Sequence, residues 1–554
     1  EDLGLDRGRI AGYLSAAGAS RIGSANCERI KVGGYANFRG LECSGSVSFE
    51  GGDFESDLFL GGRELGYQAR YLDLSLAGAS VGGQLSMIGT VCEGNCDMQG
   101  LTVAADLYMQ SKEQLYSRFN SVELTEAKIG NQLDMDDVSC TGDVDMQGID
   151  VGTDLYMRGK FQGVALTGAK IGGQLLMSGV VCRGRLSMQA LSIVTDLFMG
   201  TGSEFAEVNL MGAKVGGQLD LEDAKCSGAL KMQSLVVGES ILMNNSKFSG
   251  KLELGRLETR GSLLLRNIEA TQEVSLRRVT TGDTLDLTDA TIAGSLDLYG
   301  ARVGGDLRMR RASEPEALRH VSQDNGSVEE ADSCAEKDVG APPRCLASFK
   351  SVLLRNARVS GYVDMDGATC HGMLDMFTID VGGYLYMRKG ARFCSVDLSD
   401  AKIHGSVIAY QVTFNGPVNL DALRADYLWL KRDASFLQSV TMLSGEIVHD
   451  VDLSGANFAS KVDFSGSRVG GSLILDSDAD SGTRWSEASQ FDLRNVELGI
   501  LRDAPRASLY GLTPWPKVLR VTGFNFKRLG GGDEDDAYER WVRNGSSDWY
   551  LEWL

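Results

Sequence analysis

Proline, histidine and aromatic residues are scarce in this chain, and long apolar runs are missing. Among 554 residues there are seven prolines, four histidines and 7% aromatic residues, against 69 glycines. No apolar stretch approaches the roughly 18–20 residues that a membrane span requires, and the first residues lack the pattern of a signal peptide. The sequence therefore predicts no transmembrane segment in this chain. It does not begin with Met, so a longer gene product with a membrane anchor stays open.

Positive charge is also in short supply. The chain has 55 Lys and Arg residues against 75 Asp and Glu residues, which gives a formal net charge of −20 at pH 7. This balance disfavours direct binding to nucleic acid phosphates or to an anionic bilayer through a basic face. It is compatible with a basic partner or with mimicry of a nucleic acid.

What the chain does have is an apolar residue at every eleventh position over a long central stretch. Such a fixed period indicates a repeat architecture. Each unit has apolar residues at its first, sixth and tenth positions, and the apolar-x-apolar junctions predict short strands. With two units to a coil, the sequence predicts an all-β, single-domain, right-handed parallel β-helix of about 22 residues per coil. The positions are Leu166, Met177, Met188, Met199, Leu210, Leu221, Met232, Met243, Leu254, Leu265, Leu276, Leu287, Leu298 and Met309.

The repeat divides the chain into a solenoid and a short tail. Residues 1–500 are predicted to form the β-helix, with a polar, acidic insertion at about 311–348. The interruptions of the comb all fall in even-numbered units, so loops are expected along one edge of the solenoid. Residues 501–554 are predicted to form an irregular and helical C-terminal cap, or the start of a membrane-proximal segment, with Trp541, Trp549 and Trp553 in it.

The cysteines follow the repeat and do not look like a secreted disulfide framework. We interpret them as a ladder of small buried side chains, since free cysteine packs as a small hydrophobe, and this favours a reducing, cytoplasmic setting. Cys334 and Cys345 lie in the insertion and could pair with each other. The cysteines that share one repeat position are Cys43, Cys92, Cys140, Cys182, Cys226 and Cys370.

Two motifs carry a family resemblance. Ala456-Asn457-Phe458 resembles the A-(D/N)-L-x-x unit of pentapeptide-repeat proteins, although the spacing here is five plus six. The segment from Leu166 to Met177 is similar to the L-x-G-A-x-I-x-G-x-L-x-L repeats of uncharacterised bacterial solenoid proteins. The resemblance implies a β-solenoid followed by a Trp-rich helical segment, often with membrane helices beyond it.

Histidines and cysteines offer little for catalysis or metal binding. His320 lies in the insertion, while His371, His404 and His449 replace polar residues of the repeat, so we expect exposed corner side chains. Cys92 and Cys96 form C-x3-C, which could be half of a zinc site. Cys96, however, takes a slot that is apolar in other repeats, so we predict that both thiols point into the core.

Methionines, glycine pairs and aspartates are expected to be core, corner and surface residues and not parts of a binding site. Thioethers can bind copper, but Leu alternates freely with Met along the comb, which favours core packing. The glycine pairs are interpreted as corners, because no helix follows them as a dinucleotide site requires; they are Gly82-Gly83, Gly172-Gly173, Gly216-Gly217 and Gly304-Gly305. The aspartates are expected on an outward, solvated face, with a calcium stripe as the alternative; they are Asp134, Asp136, Asp137, Asp145, Asp286 and Asp297.

The sequence therefore predicts a non-enzymatic solenoid scaffold or protein-binding platform within a membrane-associated or multi-protein assembly. No catalytic, cofactor-binding or metal-binding residue and no cofactor is assigned. Partners are expected at the loop edge or the Trp-rich C-terminus, a homo-oligomer stays open, and the expected location is the cytoplasm or the cytoplasmic face of a membrane. The alternatives are an acidic DNA mimic, a polysaccharide-active enzyme with three or more converging carboxylates, and a filament-forming solenoid.

Overall fold

The fold is a parallel β-solenoid, as the repeat predicts. The computed structural model describes residues 2–18, 21–63, 67–312, 347–475, 482–502 and 515–530. Within these ranges the regular elements are β-strands and no helix occurs. Leu219 pairs in parallel with Ile241, and Ile241 with Leu263, so one coil takes 22 residues. The right-handed sense stays a prediction, and the helical cap predicted for the last residues falls largely outside the described ranges.

A coil is built from four short strands separated by tight turns. One coil has the strands Lys225–Cys226, Leu230–Lys231, Val236–Val237 and Ile241–Leu242. The next coil repeats them as Lys247–Phe248, Leu252–Glu253, Glu258–Thr259 and Leu263–Leu264. Every member of the eleven-residue comb is buried, which confirms that Met and Leu at these positions form the core.

The chain divides into two compact units. Unit 1 comprises Glu1–Asp286 and Ile292–Asp306, and unit 2 comprises Leu287–Thr291 and Leu307–Leu554. In unit 2 the winding continues past residue 500, where the comb can no longer be recognised in the sequence. Val518–Arg520 pairs with Gln490–Asp492, and Asn525–Leu529 pairs with the strand that begins at Glu497.

The cysteine ladder differs from its prediction in one respect. The cysteines are buried and free, as expected. They do not stack on one another, however, because aromatic rings alternate with them from coil to coil. A small thiol leaves room for a ring above and below it, so alternation fills the interior at uniform density. In unit 1 the pairing order is Tyr71, Cys92, Phe119, Cys140, Phe161, Cys182, Phe205, Cys226 and Phe248.

In unit 2 the same ladder becomes aromatic in successive coils from Phe393 onward. Cys370 lies between Phe349 and Phe393, and from Phe393 onward each ring stacks on the next. The centroid distances are 5.7 Å for Phe393–Phe414, 4.8 Å for Phe414–Phe436, 4.8 Å for Phe436–Phe458 and 5.0 Å for Phe458–Trp485.

The glycine pairs are corners, as predicted, and the reason is close backbone approach between coils. A Cβ on Gly172 would lie 2.1 Å from the carbonyl oxygen of Gly152, and one on Gly216 would lie 1.9 Å from that of Val194. The first glycine of the other two pairs meets a carbonyl oxygen in the same way, at 2.5 Å for Gly82 and 2.2 Å for Gly304. Any side chain here would collide with the backbone of the preceding coil.

Two of the predicted loops lie side by side. The first interruption lies between Leu60 and Leu76 and the second between Met109 and Leu124. The side-chain amide of Gln68 in the first donates to the carbonyl oxygen of Tyr116 in the second at 3.3 Å. Lys112 and Leu115 close the second loop by an antiparallel bridge. This contact supports a shared loop edge for these two loops. Most of the insertion, residues 313–346 with His320, Cys334 and Cys345, lies outside the described residues.

Candidate functional site

Three neighbouring coils of unit 2 have paired strands that are longer than two residues. Leu385–Arg388, Lys402–Tyr410 and Arg424–Lys431 contain four, nine and eight residues, whereas most strands in the described part of the chain contain two. The register shifts between Ile403 and Ser406, and beyond that point it is continuous, with Tyr386 beside Ile408 and Ile408 beside Trp429. Three coils therefore present one broad, regular piece of sheet.

The outward side chains of these strands form a grid of three rows and three columns, which we call the aromatic lattice. Its inward neighbours, among them Leu385, Val407 and Leu428, are buried in the core, so strand alternation turns the lattice residues to the outside. The rows are Tyr384, Tyr386 and Arg388, then Ser406, Ile408 and Tyr410, then Tyr427, Trp429 and Lys431.

The rings of the lattice contact one another. Tyr384 and Tyr386 stack with centroids 5.7 Å apart, and Tyr427 lies 5.7 Å from Trp429. Ile408, at the centre, is only 7% exposed although it faces outward, whereas Tyr384 at the edge is 45% exposed. The surrounding lattice side chains therefore shield the central aliphatic side chain, and each outer row presents its own pair of contacting rings.

Arg388 is held between rings and a carboxylate. Its guanidinium carbon lies 4.1 Å above the Tyr386 ring and 5.4 Å from the Tyr410 ring. Its Nε and Nη2 donate to Asp366 at 2.9 and 2.7 Å, and Nη1 donates to the Tyr410 hydroxyl at 3.3 Å. Burial alone would lower the pKa of Arg388, but Asp366 outweighs it and raises the pKa, which keeps the group charged.

Lys431 repeats this arrangement in the third row. Its ammonium lies 4.6 Å from the Trp429 ring centroid and donates to Asp452 at 2.6 Å. Each cation thus has both a ring and a carboxylate, and such contacts fix long side chains in one rotamer. Arg388 and Lys431 are therefore held in place before any ligand binds.

The neighbouring coils border the lattice with acids. Asp364 pairs in register with Tyr386, and Asp452 with Trp429. Burial, together with nearby Asp366, raises the pKa of Asp364. Tyr362 adds one further ring, 5.9 Å from Tyr386 in an edge-to-face arrangement. Chemically, the site can stack flat or apolar ligand groups and offers fixed hydrogen-bond donors and acceptors at its margins.

The lattice is absent from the sequence predictions, although a signal for it exists. Those predictions rest on the inward comb, and the overall scarcity of aromatic residues conceals their local concentration. When outward positions are aligned by coil, Tyr384-x-Tyr386-x-Arg388 recurs as Tyr427-x-Trp429-x-Lys431 two coils later.

The predicted histidines are placed as expected where they are described. His371, His404 and His449 are exposed. His371 Nε2 lies 3.2 Å from the Ser348 hydroxyl, and His404 Nε2 lies 3.1 Å from Asp380. His449 stacks on Tyr427 at 4.7 Å, which places it at the margin of the lattice.

Cys92 and Cys96 both point into the core, as predicted. Cys96 pairs with Leu74 and Val122, so its repeat position is occupied by apolar residues in the adjacent coils. A hydrogen bond between the two thiols lowers the pKa of Cys92, and the same bond, together with burial, raises that of Cys96. Among the described residues, no group of three His, Cys, Asp or Glu side chains is arranged to hold a metal ion.

The aspartate prediction is wrong for two of its members. Asp286 and Asp297 are buried, and each binds an arginine of the preceding coil, Arg266 at 2.7 Å and Arg277 at 3.5 Å. The carboxylate of Asp297 also accepts the backbone N–H of Tyr299, two residues on, at 2.9 Å. Aspartate at this position closes an Asx turn, which satisfies a backbone donor at the corner.

Asp134 forms a second, smaller cluster in unit 1. It lies in register between Tyr108 and Tyr156. Burial raises its pKa, and nearby Asp136 adds to the effect. Asp136 in turn is paired with Arg158. Asp134 also accepts the backbone N–H of Asp136 at 3.0 Å, so both carboxylates have partners within the fold.

Unit 1 also has an open groove of about 720 Å³ on its exterior. Its lining carries both signs of charge, including Lys251, Glu253, Glu273 and Arg277. Because the lining lacks the ring cluster and the fixed cations of the lattice, we regard the lattice as the stronger candidate site.

The fold defines the class of protein. It is a parallel β-solenoid that carries the aromatic lattice on the outside of unit 2. In comparisons with known protein families, curated proteins and solved structures, none matches this chain. Within the described ranges, no helix has the length and apolar character needed to cross a bilayer.

Proposed function

We propose that this chain is a non-enzymatic scaffold that binds a protein partner through the aromatic lattice. One observation supports it above all: five tyrosine and tryptophan side chains and two fixed cations gather on the outside of three consecutive coils. The solenoid buries its apolar side chains within the coils, so these outer rings are not needed for the core.

The lattice has the residue composition that is typical of the centre of a protein–protein interface. Trp, Tyr and Arg are the residues most often responsible for binding energy in protein interfaces. They bury much area with few rotatable bonds, and here Asp366 and Asp452 already hold the cations in place. Association therefore costs little side-chain ordering, which favours affinity.

The acid–base pairing of the Asx-turn aspartates disfavours the DNA-mimic alternative. A mimic needs free carboxylates in place of phosphates. Along unit 2, Asp364 pairs with Arg310, Asp375 with Arg355 and Asp463 with Lys461. Carboxylates paired in this way are neutralised locally and do not stand as free substitutes for phosphates.

The remaining expectations stay predictions. They are the resemblance to pentapeptide-repeat-like bacterial solenoids, a cytoplasmic location at a membrane face, a partner at the loop edge or the Trp-rich tail, homo-oligomerisation, and the polysaccharide-enzyme and filament alternatives. Trp541, Trp549 and Trp553 lie outside the described residues.

The test compares one lattice variant with a matched control. The lattice variant carries Tyr386→Ala and Trp429→Ala, and the control carries Tyr13→Ala and Tyr35→Ala, which removes an exposed stacked pair of unit 1. Proteins cross-linked to the wild type in its native cell are identified, purified and titrated against all three chains.

The proposal expects a purified partner that binds the wild type directly. Its binding to the lattice variant should be at least about tenfold weaker, the effect of losing interface anchors, with no change for the control. A partner that binds all three chains equally would overturn the assignment of the lattice.

A further inference from the structure

The spacing of the lattice rows carries information about the ligand. Adjacent parallel strands lie about 4.8 Å apart, so the first and third rows, two coil steps apart, are separated by about 9.6 Å. Tyr386 and Trp429 stand at these two levels in one column, with the covered Ile408 between them. Tyr384 and Tyr427 are the corresponding rings of the next column, on either side of Ser406. In both columns the two rings therefore stand two coils apart along the stacking direction of unit 2, with a side chain of low exposure between them.

A polyproline II helix repeats at nearly the same distance. It rises about 3.1 Å per residue with three residues per turn, so residues i and i+3 lie on one face about 9.3 Å apart. We propose that the aromatic lattice binds a proline-rich segment of the protein partner in the polyproline II conformation, lying across the strands. This inference rests on the proposed function and specifies its partner.

The chemistry of the surface fits such a segment. Proline rings dock on aromatic side chains in known polyproline recognition, and the preformed helix loses little entropy on binding. The segment has free backbone carbonyls, since polyproline II has no internal hydrogen bonds. Arg388 and Lys431, at the edge of the lattice, are donors placed at the same two levels as the rings.

Charge complementarity points to an uncharged or basic segment. The carboxylates that border the lattice are paired, Asp366 with Arg388 and Lys389, and Asp452 with Lys431. The surface therefore has no strong excess of either sign for an acidic peptide or a nucleic acid strand. The net charge of −20 on the whole chain further disfavours an anionic ligand.

The experiment titrates the full chain with synthetic peptides by isothermal calorimetry. The probes are decaproline, a (Pro-Ala-Ala)4 peptide, a (Pro-Ala)6 peptide and, as the length-matched control for these two repeat peptides, a (Gly-Ser)6 peptide. We expect decaproline and (Pro-Ala-Ala)4 to bind, and the Gly-Ser peptide not to bind. (Pro-Ala)6 should bind about fivefold more weakly than (Pro-Ala-Ala)4, because it never places two prolines three residues apart, and each face of the helix then alternates proline with alanine.

Variants locate the site. Trp429→Ala and Tyr386→Ala should each weaken decaproline binding about tenfold or more, the effect of losing a stacking anchor. Tyr386→Phe keeps the ring and should retain binding within about threefold of the wild type. Tyr13→Ala should leave binding unchanged, and circular dichroism verifies that each variant is folded.

The outcomes separate this inference from the proposed function. If no proline peptide binds while a native protein partner still requires the lattice, the polyproline inference is wrong and the proposed function stands. If neither peptide nor protein requires Tyr386 and Trp429, both are wrong. Binding of an uncharged oligosaccharide such as cellohexaose at Trp429, with no peptide binding, would also overturn the inference.

Discussion

At the scale of single residues, two repeat positions determine how well the coils fit together. One is the ladder of alternating thiols and rings, in which Cys140 lies between Phe119 and Phe161. The other is the corner position at which an Asp or Asn accepts the backbone N–H two residues on, as Asp452 does for Ser454 at 3.0 Å. At the first position, side chains of alternating volume fill the space between coils. At the second, a side-chain acceptor satisfies a backbone N–H at the corner.

The thiol ladder predicts a loss of stability at alkaline pH. Burial raises the pKa of Cys140 to about 12 and that of Cys182 to about 11. The folded state disfavours the thiolate, so this contribution is fully present below the unfolded pKa of about 9 and is lost as the pH rises from 9 toward the folded value. By pH 10 the loss should be on the order of 1 kcal/mol per thiol.

Urea unfolding followed by circular dichroism at pH 8 and pH 10 measures this effect. Cys140→Ala should lower the free energy of unfolding at pH 8. Between pH 8 and pH 10, however, the free energy of unfolding should decrease by about 1 kcal/mol less in the variant than in the wild type, because one titrating thiol is missing. An unchanged pH dependence in the variant would contradict the prediction.

Asp492 predicts the opposite dependence at acid pH. Burial alone would raise its pKa, but hydrogen bonds from the side chain and backbone N–H of Arg494 outweigh burial and lower the pKa. The stabilisation is therefore present above the unfolded value of about 4 and is lost as the pH falls below it through the folded value. Asp492→Asn should cost about 1–3 kcal/mol at pH 7, and less at pH 3.

A surface ion pair provides the control. Asp433 lies 3.7 Å from Arg484 and its side chain is 69% exposed, so Asp433→Asn should change the free energy of unfolding by less than about 0.5 kcal/mol at either pH. A cost for Asp492→Asn that does not shrink on acidification would show that ionisation is not its source.

At the scale of the strand and turn, glycine has two separate roles. Gly212 has a φ of +66° with open space around its missing Cβ, so it is there for its conformation. Gly216 has no such φ, but its Cβ position lies 1.9 Å from the carbonyl oxygen of Val194 in the preceding coil, so it is there for close approach. Both belong to one repeat unit, four residues apart.

The two roles predict different costs for alanine. Gly212→Ala should cost about 1–2 kcal/mol, the strain of a left-handed residue, and Gly212→Asn should cost less because Asn tolerates this conformation. Gly216→Ala forces two backbones apart and should cost about 3 kcal/mol or more. Urea unfolding of the three variants gives the order; equal costs for the two alanines would contradict this assignment of roles.

At the scale of the whole molecule, the fold is a sequence of nearest-neighbour contacts. Each coil pairs with the coils about 22 residues before and after it, so stability approximates a sum over repeats and their interfaces. All six tryptophans follow Asp306 in the sequence, so none belongs to unit 1, and Trp429, Trp485 and Trp515 belong to unit 2. Tryptophan fluorescence therefore reports unit 2, whereas far-UV circular dichroism reports the strands of both units.

This arrangement predicts that damage in unit 1 stays local. Leu221→Ala removes a buried comb residue and should cost about 2–5 kcal/mol in its own coils. The urea midpoint measured by circular dichroism should fall, and the midpoint measured by tryptophan fluorescence should move by less than half as much. Equal shifts of the two midpoints would show instead that both units unfold together.

The fold could be predicted in large part because its signal is one-dimensional. Inward side chains must be apolar in every coil, so the comb from Leu166 to Met309 records the winding directly. The comb is lost near residue 500, yet the winding continues through Leu529 because Phe524 and Leu529 fill the interior with different spacing. The candidate site could not be found in this way, since outward positions are free to vary and only a few coils use them.

The sequence alone determined the period, the parallel strands, the corner glycines and the burial of the thiols, because each of these depends on residues that recur at a fixed distance along the chain. Only the tertiary structure decided which outward side chains become neighbours. Tyr386, Ile408 and Trp429 are 22 and 21 residues apart in sequence but lie side by side once the coils stack. Stacking also converted Asp286 and Asp297 from expected surface charges into buried partners of arginines one coil away.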